Sequence, residues 1–259
     1  MKIAVAGSGN VATHLACGLA TAGHEIAGVF SRTPANASAL AAKVRSRAFA
    51  SPEEIAAVNP DVVLLSLADS CAREVIDALP PVPGAVVLHT SGTLPQEILL
   101  PLSADAGILY PLQTFSKDVA VDLTSVPFFI EGATPRAAAV ARTLAESLSR
   151  EVHYADAEKR KTLHIAGVLG CNFPNYLWDC CRRLLDEAGY PLGVIEPLVR
   201  ATVDKAFAVG PHAAQTGPAR RRDTDVIAAH VKALPAPLAE IYQKISDEII
   251  KSHYEQNSI

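Results

Sequence analysis

A doubly wound parallel α/β sheet followed by an all-helical domain is the fold class predicted for this chain of 259 residues. Three features predict it. A glycine-rich turn sits between an apolar strand and a helical pattern at the very start. Short apolar runs then alternate with helical patterns up to about residue 155, and beyond that only helical periodicity remains.

Lys2 to Ala6 is the first apolar run, and Gly7-Ser8-Gly9-Asn10-Val11-Ala12 follows at once. The helical pattern through His14, Leu15, Cys17 and Leu19 completes the opening of a dinucleotide-binding βαβ unit. Gly7 serves the tight turn, Gly9 lets a pyrophosphate approach the backbone, and Ala12 lets the helix lie close to the strand. The free N–H groups at the helix start, from Asn10 and Val11 onward, offer the pyrophosphate its donors.

Gly23 ends the helix, and Glu25 to Phe30 is the second strand. Ser31-Arg32-Thr33 comes next, where an NAD site would carry a carboxylate for the ribose hydroxyls. A guanidinium between two hydroxyls suits a 2′-phosphate instead, so the cofactor expected is NADP. Pro34 opens a further helix, and a short one covers Pro52 to Val58. Asp61 to Leu67 is a buried strand, a helix runs from about Cys71 to Leu79, and Ala85 to Leu88 is another strand. Runs that are apolar throughout belong to a parallel sheet covered on both faces.

Ligands in such sheets lie beyond the carboxyl ends of the strands. Ser66, Leu67 and Ala68 leave one strand there, and His89-Thr90-Ser91-Gly92 leaves the next, so both border the nicotinamide half of a cofactor. His89 is either a proton donor or a hydrogen-bonded structural histidine. Gly107 to Tyr110 and Pro127 to Ile130 are two more apolar runs. Gln113 lies in the loop between them. A helix from Pro135 to Leu148 and a strand from Glu151 to Tyr154 complete a first domain of residues 1–155.

Residues 156–259 form the second, helical domain. From Ala157 to Gly189 one long helix is expected, with Leu163, Phe173, Leu177 and Leu184 on a broad apolar face. Opposite runs a stripe of Lys161, His164, Val168, Asn172, Asn175 and Asp179, uncharged between its ends. The stripe lines either a cleft or a polar helix–helix contact. Pro174 removes a bond to the carbonyl of Gly170 and predicts a kink. Helices follow near 193–209, 223–233 and 236–253. The loop between the first two carries Arg220-Arg221-Arg222, read as an anion site, a solvated face or a partner contact.

Composition narrows the function classes. Hydrophobic residues make up 49% and charged residues 19%, enough for sizeable cores. The net charge of −4 argues against a nucleic-acid partner and gives no signal for an anionic membrane surface. No apolar run has the length of a membrane span, and no signal peptide is read at the start. Five cysteines without C-x-x-C spacing read as reduced cytoplasmic thiols, and eight histidines without H-x-x-x-H spacing indicate no metal site.

Gly7 to Ala12, Ser31-Arg32-Thr33, His89-Thr90-Ser91-Gly92, Tyr110-Pro111-Leu112-Gln113-Thr114-Phe115 and Thr216-Gly217-Pro218 together resemble a bacterial family of Rossmann-like oxidoreductases. Its members carry a C-terminal helical domain of unknown function. More distantly the chain resembles pyrroline-5-carboxylate reductase, the deazaflavin-dependent NADP oxidoreductases and the 6-phosphogluconate dehydrogenase superfamily. The resemblance implies an N-terminal NADP-binding domain, a helical domain that makes a homodimer, and a cleft for a small-molecule substrate between them. The β-hydroxyacid dehydrogenases of that superfamily pair a catalytic lysine with an asparagine four residues later. Here Lys161 is followed at that position by Ile165, so the lysine mechanism is not carried over. His164 and His89 are the expected acids, with Asn172 and Gln113 orienting a carbonyl or imine. Two function classes follow: an NADP-dependent oxidoreductase acting on a small polar carbonyl, imine or hydroxyacid, and a non-catalytic NADP-binding sensor or scaffold.

Overall fold

The computed structural model describes residues 1–254. The chain divides into two compact units, Met1–Asn172 and Phe173–Ile259.

The first unit is built on one seven-stranded sheet. Its strands are β1 (Lys2–Ala6), β2 (Glu25–Phe30), β3 (Val62–Leu65), β4 (Val86–His89), β5 (Ala106–Pro111), β6 (Phe128–Gly132) and β7 (Val152–Tyr154). Their order across the sheet is β2-β1-β3-β4-β5-β6-β7. Helices α1 (Asn10–Thr21), α2 (Pro34–Lys43), α3 (Glu53–Ala57), α4 (Asp69–Ala78), α5 (Pro135–Leu148) and α6 (Ala157–Gly167) complete the unit. Alternate residues of each strand feed opposite faces. Ile3, Val5, Val62 and Leu64 pack with Leu15 and Leu19 of α1 and Leu144 of α5. Ala4, Ala6, Val63 and Leu65 pack with Phe49, Ile55 and Val75 on the other side. A period of two with both faces apolar is what made these strands continuous hydrophobic runs. The chain leaves β1 for β2 on one side and later places β3 on the other. That reversal opens a crevice at the N-terminus of α1.

The sheet is not parallel throughout, which corrects the expectation at one pairing. β6 runs antiparallel to β5, with Tyr110 opposite Phe129 and Ile108 opposite Glu131, and β7 then pairs parallel to β6. Between β5 and β6 lies only a 3₁₀ turn at Leu123–Ser125. Without a crossover helix the chain returns antiparallel.

The expected long helix is also interrupted rather than simply kinked. After α6 the chain widens into a π-helical turn, Val168–Asn172, before α7 (Phe173–Glu187) begins. Pro174 has no N–H, and its ring would strike the carbonyl of residue 170; a wider turn removes that conflict.

The second unit comprises α7, α8 (Glu196–Val209), α9 (Pro211–Ala214), α10 (Pro218–Arg221), α11 (Thr224–Ala233) and α12 (Ala236–Tyr254). Among its described residues the buried positions are few: Cys180, Ala219, Ile227 and Ser246. Among the described residues no helix is long and apolar enough to cross a membrane.

Candidate functional site

The phosphate end of the site starts with the two glycines, which do different jobs. Gly7 has φ +120, and a Cβ there would lie 2.0 Å from the Ser66 carbonyl oxygen. Its conformation is therefore fixed by the close passage of the β3 end, and its N–H donates to Phe30 O at 2.8 Å. Gly9 faces open space, with nothing within 4 Å of a Cβ. It is the N-cap of α1 and supplies no side chain to the first turn, which holds no acidic residue. The leading N–H groups of α1 thus point out of the helix without an internal partner, over a floor that Gly9 keeps clear.

Ser8 Oγ donates to Ser31 Oγ at 2.8 Å, tying the glycine turn to the end of β2. Thr33 N–H donates to the same Ser31 oxygen at 3.4 Å. Arg32 Nη1 lies 3.2 Å from Glu74 Oε2, with side chains 56% and 73% exposed, so the guanidinium is held loosely at the rim. On the other side, Asn10 Nδ2 donates to Phe115 O at 2.8 Å and His14 Nε2 meets Ser116 O at 2.9 Å. Asn10 therefore offers a ligand its backbone, while its side chain braces the loop after β5.

The ends of β3 and β4 are joined by hydroxyls. Thr90 Oγ1 donates to Ser66 Oγ at 3.1 Å, and Ser91 Oγ accepts from the N–H groups of Thr93 and Leu94 at 3.0 Å each. Thr93 Oγ1 donates to Asp69. Leu67 lies over Gly7, and Ala68 is the extended N-cap of α4. His89 is only 3% exposed. Its Nδ1 accepts from Ser91 N–H at 3.1 Å, which leaves Nε2 to donate to Pro95 O at 3.3 Å. Burial above all, with the Arg160 charge adding to it, pushes its pKa down to about 4. Both ring nitrogens are engaged within the protein. In this arrangement the imidazole splints its loop.

A second polar corner lies one strand further on. Tyr110 Oη, at the end of β5, and His164 Nδ1, on α6, are 3.2 Å apart. A Cβ on Gly92 would lie 2.9 Å from both His164 Nδ1 and Tyr110 Cζ, so only glycine lets the β4 loop pass under the pair. Tyr110 is 7% exposed, and burial raises its pKa above the usual phenol value while the Arg160 charge opposes. The hydroxyl therefore stays protonated and can donate.

Arg160 sets His164 in place. It is wholly buried, with Nη1 2.6 Å from Glu131 Oε2 on β6 and Nη2 donating to Leu94 O at 2.9 Å. Asp156 caps the helix by accepting from Lys159 N–H at 2.9 Å. Four residues separate Arg160 from His164, so both lie on one face of α6. Gly167, three further on, faces Leu112.

The other two expected residues make no hydrogen bond to Tyr110 or His164 among the described residues. Gln113 is exposed, and its Oε1 accepts from the N–H and hydroxyl of Thr114 at 2.7 and 3.3 Å. Asn172 is exposed at the end of the π turn, and its side chain makes no hydrogen bond among the described residues. Tyr110 and Arg160 were not singled out from the sequence as site residues. Tyr110 had a signal, as the last polar group of an apolar run, whereas Arg160 had none beyond its spacing to His164. Among the described residues no group of three or more His, Cys, Asp or Glu could hold a metal ion.

Residues 2–91 match the family described as NADP oxidoreductase, coenzyme F420-dependent, and residues 126–249 match a domain of unknown function, DUF2520. A Bacteroides fragilis protein whose name places it among the NADP oxidoreductases is 35% identical. The match covers 96% of this chain and 98% of that one, with a TM-score of 0.88. The chain belongs to this family of Rossmann-type NADP oxidoreductases. Its cofactor is NADP, and the clear floor at Gly9, the unanswered N–H groups of α1 and the Arg32 cation all fit that group.

Two further structures share the family's fold. A Thermotoga maritima protein is 22% identical over 98% of this chain and 99% of its own, with a TM-score of 0.72. A reductive aminase from Aspergillus terreus, in complex with NADPH and ethyl-5-oxohexanoate, is 16% identical over 100% and 96%, also with a TM-score of 0.72. No curated protein is significantly similar in sequence.

Proposed function

We propose that this NADP oxidoreductase transfers a hydride between the nicotinamide and a small polar carbonyl, imine or hydroxyacid, with His164 and Tyr110 handling the proton. The observation that carries this reading is the Tyr110–His164 contact of 3.2 Å over Gly92, beyond the ends of β4 and β5. Ser8 and the N–H groups of Asn10 and Val11 would hold the pyrophosphate, and Ser31, Arg32 and Thr33 the 2′-phosphate. Ser66, Leu67, Ala68 and Ser91 would border the nicotinamide half. NADPH, when bound, supplies the hydride. Tyr110 Oη would give its proton to the substrate oxygen or nitrogen, and His164 Nδ1 would return one through the same hydrogen bond while Nε2 takes up a proton from solvent. Asn172, exposed, would turn toward a substrate and orient it, and Gln113 would do so with its amide NH2, since its Oε1 is held by Thr114.

The unit from Phe173 onward supports a homodimer. Phe207 is 90% exposed, Leu198 69% and Val194 54%, while three apolar residues of the described part are buried. So little burial leaves this unit without a core of its own size, and a second copy would supply the missing surface. The five free cysteines fit the reducing conditions of the cytoplasm.

The test is a titration with NADPH and NADH followed by a screen of ketones, imines and hydroxyacids read by nicotinamide absorbance. We expect NADPH to bind tighter and turnover to appear. His164→Ala should then lower kcat by about 10²-fold or more. Unchanged turnover in both His164→Ala and Tyr110→Phe would remove the proton assignment. Tight NADPH binding with no turnover on any of the three classes would favour a sensor.

A further inference from the structure

Residues 112–122, between β5 and the 3₁₀ turn at Leu123–Ser125, carry no helix or strand, yet they are fastened along their length. Leu112 N–H donates to Pro127 O at 2.9 Å, and a Cβ on Gly167 of α6 would lie 3.3 Å from Leu112 Cδ1. Phe115 is the next fixed point, buried between exposed neighbours. Its carbonyl accepts from Asn10 Nδ2 at 2.8 Å, and its ring centre lies 4.9 Å from that of His14. Ser116 O accepts from His14 Nε2 at 2.9 Å. Further along, Leu123 Cδ1 stands 2.6 Å from where a Cβ on Gly18 would be.

Asn10, His14 and Gly18 follow one another at intervals of one helical turn, so one face of the cofactor helix α1 receives the whole segment. Phe115 meets the first turn, Ser116 the second and Leu123 the third, so the strap runs along α1 from its N-terminus. Gln113 and Thr114 precede the first of these contacts, at the end of α1 that offers its N–H groups to the pyrophosphate. Both ends of that short span are held, Leu112 against α6 and Phe115 against α1. Since α6 carries His164, the Gln113 backbone hangs between the cofactor helix and the Tyr110–His164 corner. Asn10 is engaged from two sides: its N–H belongs to the pyrophosphate donors, and its side chain holds the strap.

We propose that Asn10 and His14 are positioning residues that clamp the 112–122 strap to α1, and that bound NADPH tightens this clamp and so presents Gln113 to the substrate. The role of Gln113 rests on the function proposed above; the clamp itself does not. The first turn of a helix has N–H groups without internal partners, and it frays first. A pyrophosphate removes that freedom, and with it the freedom of Phe115, because the two share Asn10. Order supplied by the first ligand lowers the entropic cost of the second, so the cofactor would favour substrate binding without a shift of the backbone. Linkage sets a limit: loss of the clamp removes no more NADPH affinity than the factor by which NADPH tightens the strap.

The experiment measures amide hydrogen exchange over residues 113–119 of the intact protein by mass spectrometry, with and without NADPH. NADPH should slow exchange there about fivefold or more, the equivalent of one added hydrogen bond. In Asn10→Ala, which keeps the backbone donor, and in His14→Ala, the strap should exchange faster and the slowing by NADPH should shrink. His14→Gln keeps a donor for Ser116 O and should recover much of it. The NADPH Kd of His14→Ala should rise by no more than the wild-type slowing factor. In turnover, His14→Ala should raise the substrate KM about fivefold with a smaller change in kcat, and should add no further loss on top of Gln113→Ala. Exchange that NADPH does not slow, or slows undiminished in His14→Ala, would overturn the clamp whether or not the enzyme turns over. A double variant whose loss equals the product of the single losses would overturn the positioning of Gln113. The expected exchange pattern without turnover on any substrate would support the clamp and remove the reaction, and the Gln113 role with it.

Discussion

Arg32 offers the sharpest test of how the chain selects its cofactor, because the structure shows which carboxylate competes for the guanidinium. It rests 3.2 Å from Glu74, and both side chains are more than half exposed. An ion pair in that setting contributes about 0–1 kcal/mol. Charge-assisted hydrogen bonds to a phosphate contribute about 1.5–3 kcal/mol. The phosphate should win, so Glu74 tunes the site without closing it. Arg32→Ala should weaken NADPH by about 10- to 100-fold, since each 1.4 kcal/mol is tenfold in Kd, and leave NADH nearly unchanged. Glu74→Gln acts in the opposite direction: with the competitor gone, NADPH should bind up to about fivefold tighter. Calorimetric titration of both variants with both nucleotides measures this. Equal losses for NADPH and NADH in Arg32→Ala would refute the role of the 2′-phosphate, and weaker NADPH binding in Glu74→Gln would refute the competition.

Three further outcomes are expected. Gly92→Ala should fold yet lose most turnover, because a Cβ 2.9 Å from His164 Nδ1 and Tyr110 Cζ forces the pair apart; kcat and Tm measured together separate the two effects. The His89 pKa of about 4 lies below its ordinary 6.5, so the unfolded chain binds a proton first as pH falls. Stability is then fully present above about pH 6.5 and declines toward pH 4 by roughly 3 kcal/mol; denaturant midpoints should show this slope, and His89→Gln should flatten it. Arg160→Leu should cost about 3–5 kcal/mol, because Glu131 is left charged at the helix interface without its partner; a double variant with Glu131→Leu should recover much of that loss.

Much of this was legible where the signal is local. The apolar run Glu25 to Phe30 and the helix Pro135 to Leu148 have the expected bounds, because each pairs a hydrophobic period with a cap or breaker at its end. The direction of β6 was not legible, since Phe128 to Gly132 reads the same way up or down a sheet. The π turn at Val168–Asn172 was half legible: Pro174 announced a conflict but not whether the helix bends or widens to relieve it. Tyr110 and Arg160 escaped for a different reason. Their partners, His164 and Glu131, lie 54 and 29 residues away, and no short-range pattern marks such a pair.

The reversal of β6 and the position of His164 are connected. Antiparallel pairing sets Glu131 opposite Ile108, two residues before Tyr110 on β5. Arg160 reaches across to that carboxylate with one nitrogen and to Leu94 O, in the loop after β4, with another. One buried cation thus ties β6, the β4 loop and the first turn of α6 together, and one helical turn later His164 meets Tyr110 over Gly92. The buried pair is costly to desolvate and contributes little net stability by itself. What it provides is a fixed position for the histidine at the end of the sheet, and the proton transfer proposed for it would need that position held to about 0.5 Å.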